Sequence, residues 1–141
     1  MVVVAVSLKC YSCQSSQPGC GKELNIRIQR WKHCKGMEDG AGENFCVKII
    51  KKVGSEEFLT RECLRTLRDY TYHRRQMPTV QRHGYCSAAR TNDPFHRYDE
   101  STIYCFCNDW NGCNSAPGLA RRSWLPVSLA MVGSLLARFC V

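Results

Sequence analysis

The chain has 141 residues, with 20 Lys and Arg against 12 Asp and Glu, a formal net charge of +8, and eleven cysteines. That length holds one domain. About one cysteine in thirteen is the usage of a disulfide scaffold outside the cytosol, which argues against a cytosolic protein built around a large apolar core.

Taken from the start, residues 1–7 carry no charge, and Ala5 and Ser7 have the spacing of a signal-peptidase site, so this segment reads as the remnant of a signal peptide. Residues 8–13 form a first β-prone run. A second strand is expected over residues 25–33, where Ile26 and Ile28 alternate with Arg27 and Gln29. Residues 36–42 are a loop by composition. Residues 45–52 and 57–64 then flank Val53, Gly54, Ser55 and Glu56, which reads as a β-hairpin. Alternation puts Cys46, Lys48 and Ile50 on one face of its first strand and Val47, Ile49 and Lys51 on the other. Leu64 and Leu67 permit one short helical turn closed by Pro78, and the remainder up to Tyr85 reads as ordered loop. Residues 102–107 form the last strand, and the domain spans residues 8–116.

Residues 124–137 (WLPVSLAMVGSLLA) are uncharged, with Arg138 following. A spanning helix needs about 20 apolar residues, and Arg121 and Arg122 would sit on the wrong side for one. Small residues at Asn114, Ser115 and Ala116, a polar spacer and an apolar tail instead fit a glycosylphosphatidylinositol (GPI) signal over residues 117–141, with attachment at Asn114 or Ser115. Cys140 would leave with that tail. Ten cysteines then remain, an even number as full pairing requires.

The cysteine-rich ending YCFCNDWNGCN and the early Cys10-x-x-Cys13 invite a metal or redox reading. Zinc sites need a second well-spaced pair, and His33, His73, His83 and His96 have no ligand spacing. A redox pair would need a βαβ setting. No nucleophile stands beside a base, and no glycine-rich phosphate loop occurs, so neither an enzyme nor a cofactor is expected. Eight arginines lie between Arg61 and Arg97 against Glu62, Asp69 and Asp93, so this segment holds the whole basic excess of the domain. For a secreted chain the matching partners are anionic headgroups, acidic glycans or an acidic receptor surface, not nucleic acid.

The Cys10-x-x-Cys13 start, the Cys34, Cys46 and Cys63 series framing the hairpin, and the Cys113-Asn114 ending before an anchor tail resemble the three-finger superfamily of lymphocyte-antigen-six and urokinase-receptor domains. The hairpin FCVKIIKKVGSEEFLTRECL, the long stretch to Cys86 and the Cys-Phe-Cys ending are similar to the invertebrate Quiver/sleepless-like branch. The resemblance implies a small all-β, disulfide-rich, three-finger (snake-toxin-like) fold with five disulfides: Cys10 with Cys46, Cys13 with Cys20, Cys34 with Cys63, Cys86 with Cys105, and Cys107 with Cys113. It also implies that Asn114 hydrogen-bonds within the knot, which favours Ser115 for lipid attachment.

One departure concerns the last strand, where Cys105 and Cys107 are two apart and would share a face. A bulge or strand end is therefore expected at Phe106. The function implied is a GPI-anchored outer-leaflet protein that modulates a membrane partner, such as a potassium channel or a nicotinic acetylcholine receptor. The alternative is a structural role in septate-junction assembly or cuticle organisation. Candidate contacts are Lys51, Lys52, Glu56 and Phe58 at the hairpin tip and Arg65, Arg68, Arg74 and Arg75 on the basic face.

Overall fold

The computed structural model describes residues 7–36 and 43–115. The signal-peptide reading apart from Ser7, all but the start of the loop at 36–42, and the anchor tail with Cys140 lie outside the described residues. In order, the elements are β1 (Lys9–Tyr11), β2 (Cys13–Gln14), β3 (Trp31–His33), β4 (Cys46–Val53), β5 (Glu56–Cys63), α1 (Leu64–Asp69), α2 (Thr71–Gln76), β6 (Tyr85–Arg90), β7 (Tyr98–Cys107) and a closing 3-10 turn at Cys113–Ser115. One sheet runs β2-β5-β4-β7-β6 and a second pairs β1 with β3, all antiparallel. These make a small, mostly β, three-finger fold. Finger one holds β1 and β3, finger two is the β4/β5 hairpin, and finger three is β6/β7.

Finger two forms because its strands alternate and its turn is the right chemistry. Val53 pairs with Glu56, leaving Gly54 and Ser55 as the two central residues, and only Gly54 takes a positive φ, of +60°. That is the II′ pattern, whose twist matches the flanking strands. One face of the sheet carries Val47, Ile49, Tyr104 and Phe106, buried with Phe45, Leu64, Leu67, Met77 and Ala89. Each large side chain fully buried here contributes roughly 1.5–3 kcal/mol. The Tyr104 hydroxyl lies 3.0 Å from His73 Nδ1. Burial lowers the His73 pKa, so the neutral ring can accept the Tyr104 proton.

The opposite side of the sheet is filled largely by sulfur. Cys10, Cys34, Cys46, Cys63 and Cys113 are buried together, with Leu8 and Cys107 against them. Two of the disulfides here, Cys10–Cys46 and Cys34–Cys63, join residues 36 and 29 apart. Closing loops of that size contributes about 3–4 kcal/mol each in the chain-entropy account.

Four expectations are corrected by the fold. Residues 8–13 are not one run: β1 pairs with β3, whereas β2 joins β5 in the other sheet. Only Trp31–His33 of the second expected strand is a strand. Asn25 Oδ1 accepts the Arg27 amide at 3.0 Å and the Asn25 carbonyl accepts the amides of Ile28 and Gln29, so local turn chemistry overrides the alternation and leaves Ile26 and Ile28 exposed. The stretch after Leu64 is two helices, not one turn and a loop. α2 buries none of its own residues, so its sequence carries no apolar stripe to read.

The bulge at Phe106 is absent. The β4–β7 register is unbroken from Lys51↔Thr102 to Cys46↔Cys107. Cys105 and Cys107 do share a face, but they reach in different directions. Cys105 bonds sideways to Cys86, its direct neighbour on β6, while Cys107, the last residue of its strand, bonds to Cys113 six residues further along. The irregularity lies nearer the tip of finger three, where Ala88 pairs with Ile103 but Ala89 pairs with Asp99. Asp99 fastens the extra residues by accepting from the Ser101 amide and hydroxyl and the Thr102 hydroxyl. Those bonds, the Ser101 hydroxyl foremost, hold its carboxyl below the usual range.

Candidate functional site

The structure brings the ten cysteines together as the five pairs implied by the resemblance. Sulfurs of Cys10, Cys34 and Cys63 lie within 4.8 Å of one another, as do those of Cys46, Cys107 and Cys113. Each is held in a disulfide and has no thiolate to offer a metal.

The segment after Cys107 is tied residue by residue to β1 and β4. The Lys9 amide donates to Asn111 Oδ1 at 2.9 Å, and the Gly112 amide donates to the Lys9 carbonyl at 2.7 Å. Gly112 has φ +74°, and a Cβ there would come within 2.8 Å of both Tyr11 and Trp31, so only glycine fits. Asn114 acts as a substitute strand: Oδ1 accepts the Tyr11 amide at 3.0 Å, and Nδ2 donates to the carbonyls of Tyr11 at 3.0 Å and Val47 at 3.2 Å. Its own carbonyl accepts Arg61 Nε at 3.0 Å.

Arg61 is the residue that counting charge misreads. It belongs to the basic segment by sequence, yet its side chain is fully buried. Nη1 donates to the Cys20 carbonyl at 3.1 Å and Nη2 to that of Gly21 at 3.0 Å. One guanidinium thus joins the finger-one loop, β5 and the closing 3-10 turn. Its cross-strand neighbour Lys48 is only 5 % exposed. Burial, then the positive charge of Arg61, pushes the Lys48 ammonium down to about 8, with Glu57 opposing and Lys22 reinforcing the shift. No signal in the sequence separates these two cations from solvated ones except their place on the Cys46 face of the hairpin.

This burden has a sign that can be checked. Between about 8 and 10.5 the unfolded chain holds a proton on Lys48 that the folded chain has released, so stability rises with pH across that window. The full cost applies below about 8. Lys48→Met is expected to abolish the Lys48 part of the alkaline rise, as read from urea unfolding across pH.

The candidate contact residues divide into two sets. At the tip of finger two, Lys51, Lys52, Glu56 and Phe58 are all exposed. Lys52 lies 3.9 Å from Glu57, and Phe58 pairs across the hairpin with Lys51. On α2, Arg74 and Arg75 are exposed, whereas Arg65 and Arg68 on α1 are partly buried. Arg65 lies 3.6 Å from Asp69, and Arg68 donates to Gln81 at 2.8 Å. α2 is also anchored to finger three, since Arg90 donates to the carbonyls of Met77 and Arg74.

Among the described residues no helix is long and apolar enough to cross a membrane. A protein of Drosophila melanogaster, "UPAR/Ly6 domain-containing protein crim", is 29% identical over 144 aligned positions, covering 92% of this chain and 85% of that protein. No solved structure matches the chain. Ly-6/u-PAR-like modules are non-enzymatic, disulfide-rich domains of secreted or membrane-anchored signalling proteins, typically extracellular or at the cell surface. Residues 8–114 match the model of the Quiver family u-PAR/Ly-6-like domain, and with the five disulfides and the three fingers in place, the chain belongs to that family.

Proposed function

We propose that this protein works on the outer face of the plasma membrane, held by a GPI lipid, and binds a channel or receptor whose gating or abundance it changes. The potassium channel and the nicotinic acetylcholine receptor are the partner classes that the Quiver/sleepless-like character favours. The observation that carries the reading is the contrast along finger two. Its base is fixed by Cys46, Cys63 and Arg61, while its distal half from Lys51 to Phe58 presents cations and one aromatic ring to solvent. An exposed ring on a stiff hairpin is the arrangement that makes a binding hot spot. Arg74 and Arg75 supply steering charge from α2.

In this reading Ser115 is the lipid-bearing residue, because Asn114 is buried and its side chain is committed to Tyr11 and Val47. Expressed on cells that carry the partner, the protein is expected to be released by a phosphatidylinositol-specific phospholipase. A variant with Lys51→Glu, Lys52→Glu, Phe58→Ala, Arg74→Glu and Arg75→Glu should reach the surface and lose partner binding by tenfold or more, a difference of about 1.4 kcal/mol or greater. Unchanged binding by that variant would mean the surface is wrongly placed.

A further inference from the structure

Tyr11 pairs with Trp31 and Lys9 with His33 across β1 and β3, and directly opposed residues of an antiparallel pair point to the same side of their sheet. Gly112 lies on that side, since a Cβ on it would meet the rings of both Tyr11 and Trp31. The loop that carries Gly112 is held there by the bonds of Asn111 and Gly112 to the Lys9 backbone. Tyr11 is covered, but Trp31 is 47 % exposed, and Trp110, two residues before Gly112, is 54 % exposed. Lys9 Nζ stands 5.8 Å from the centre of the Trp31 ring. Ser115, the last described residue, donates its amide to the Gly112 carbonyl at 3.0 Å, so the described chain ends beside these two indoles.

An indole has a large apolar body and one N–H that needs an acceptor. Water satisfies the N–H and not the ring, and a dry apolar pocket does the reverse. The headgroup layer of a bilayer satisfies both, which is why tryptophan and tyrosine gather at membrane interfaces. A lysine beside them keeps its ammonium among the headgroups while its stem lies along apolar surface. Position adds to chemistry here. A bilayer tethered at residue 115 is held next to this face at high effective concentration, so contacts too weak for a soluble partner suffice.

We infer that the face carrying Trp31, Trp110 and Lys9 rests in the headgroup layer of the outer leaflet, with the two indoles as its interfacial anchors. This deepens the membrane-anchored reading above and rests on it: the lipid tethers the domain, and the indoles orient it. β4 runs from Cys46, bonded to Cys10 in the knot, out to Val53 at the tip of finger two. Seating the knot end on the bilayer therefore directs that tip away from the lipid, toward a protein partner.

Trp31, Trp110 and Trp124 are the tryptophans of the chain, so Trp124→Phe leaves only the two indoles of this face to fluoresce, whatever becomes of the tail. That variant, expressed as the full chain, purified from cell surfaces and reconstituted into phosphatidylcholine vesicles, is expected to lose about half of its emission to lipids brominated near the headgroup and little to lipids brominated near the bilayer centre. A second variant, with Trp31→Phe, Trp110→Phe, Trp124→Phe and Phe58→Trp, carries its one indole at the tip of finger two and should stay unquenched by either lipid. Release of the protein from the vesicles by a phosphatidylinositol-specific phospholipase scores the anchor separately. Shallow quenching without release would keep the seat and overturn only the lipid attachment. Release without shallow quenching would keep the anchor and overturn the seat, whether the indoles stay in water or a second copy of the chain covers them. Equal quenching of the finger-two indole would also overturn it, because the domain would then have no fixed orientation.

Discussion

Replacing Arg61 with methionine is expected to destabilise the domain by about 3 kcal/mol, measured by urea unfolding with the disulfides intact. The sign is a balance of two effects. Removing the guanidinium ends its repulsion of Lys48 and its own desolvation cost, both of which favour the variant. Against that, the buried carbonyls of Asn114 and Cys20 and the partly buried carbonyl of Gly21 lose charge-assisted donors. Each orphaned buried acceptor costs about 1–3 kcal/mol, so the two buried ones, with the Gly21 carbonyl adding less, outweigh the relief. Arg61→Lys should recover little, because one ammonium cannot span the three carbonyls that the planar fork reaches. A stability gain in Arg61→Met would show that charge burial, not carbonyl satisfaction, dominates at this position.

Asn114→Ala should cost a similar amount, about 3 kcal/mol, for a different reason. The side chain makes three hydrogen bonds to backbone groups of Tyr11 and Val47. None of those groups can reach water in its place, because Asn114 and Tyr11 are both buried. The loss should be local as well as global, since the Tyr11 amide donates to Asn114 Oδ1. Hydrogen exchange at that amide is expected to accelerate more than exchange at amides in the middle of β4. Equal protection of Tyr11 in the variant and the parent would contradict the bracing role.

The parts of this molecule that could be read from sequence are those where local chemistry and tertiary context agree. Finger two is one: its strands alternate, and Gly54 with Ser55 is turn chemistry for a two-residue loop. Residues 25–33 are the opposite case, because Ile26 and Ile28 alternate as in a strand while Asn25 closes a turn on Arg27, Ile28 and Gln29. β6, with the sequence YCSAAR, was not visible because two alanines and an arginine have little β preference. It is a strand because β7 lies alongside and Cys86 bonds to Cys105.

The face assignment explains both the success and the failure over charge. Placing Cys46, Lys48 and Ile50 on one side of the hairpin was correct, yet it did not reveal that Lys48 would be buried or that Arg61 would oppose it. That follows only once the finger-one loop and the 3-10 turn fold onto that face. The Arg-rich stretch was read as one surface, and the fold separates it into a buried brace at Arg61, partly buried side chains at Arg65 and Arg68, and exposed cations at Arg74 and Arg75. The bulge expected at Phe106 failed because two cysteines on one face need not compete when one bonds across the sheet and the other bonds beyond its end.

The claim that partner binding lies on the fingers, with the disulfide knot as their support, can be tested by photo-cross-linking on intact cells. A benzophenone side chain would replace Phe58 at the tip of finger two in one sample and Trp110 beside the knot in another, both positions being exposed. Capture of an integral membrane protein from Phe58 and not from Trp110 is the result expected here. Capture from Trp110 alone would place the interface at the knot and contradict the account.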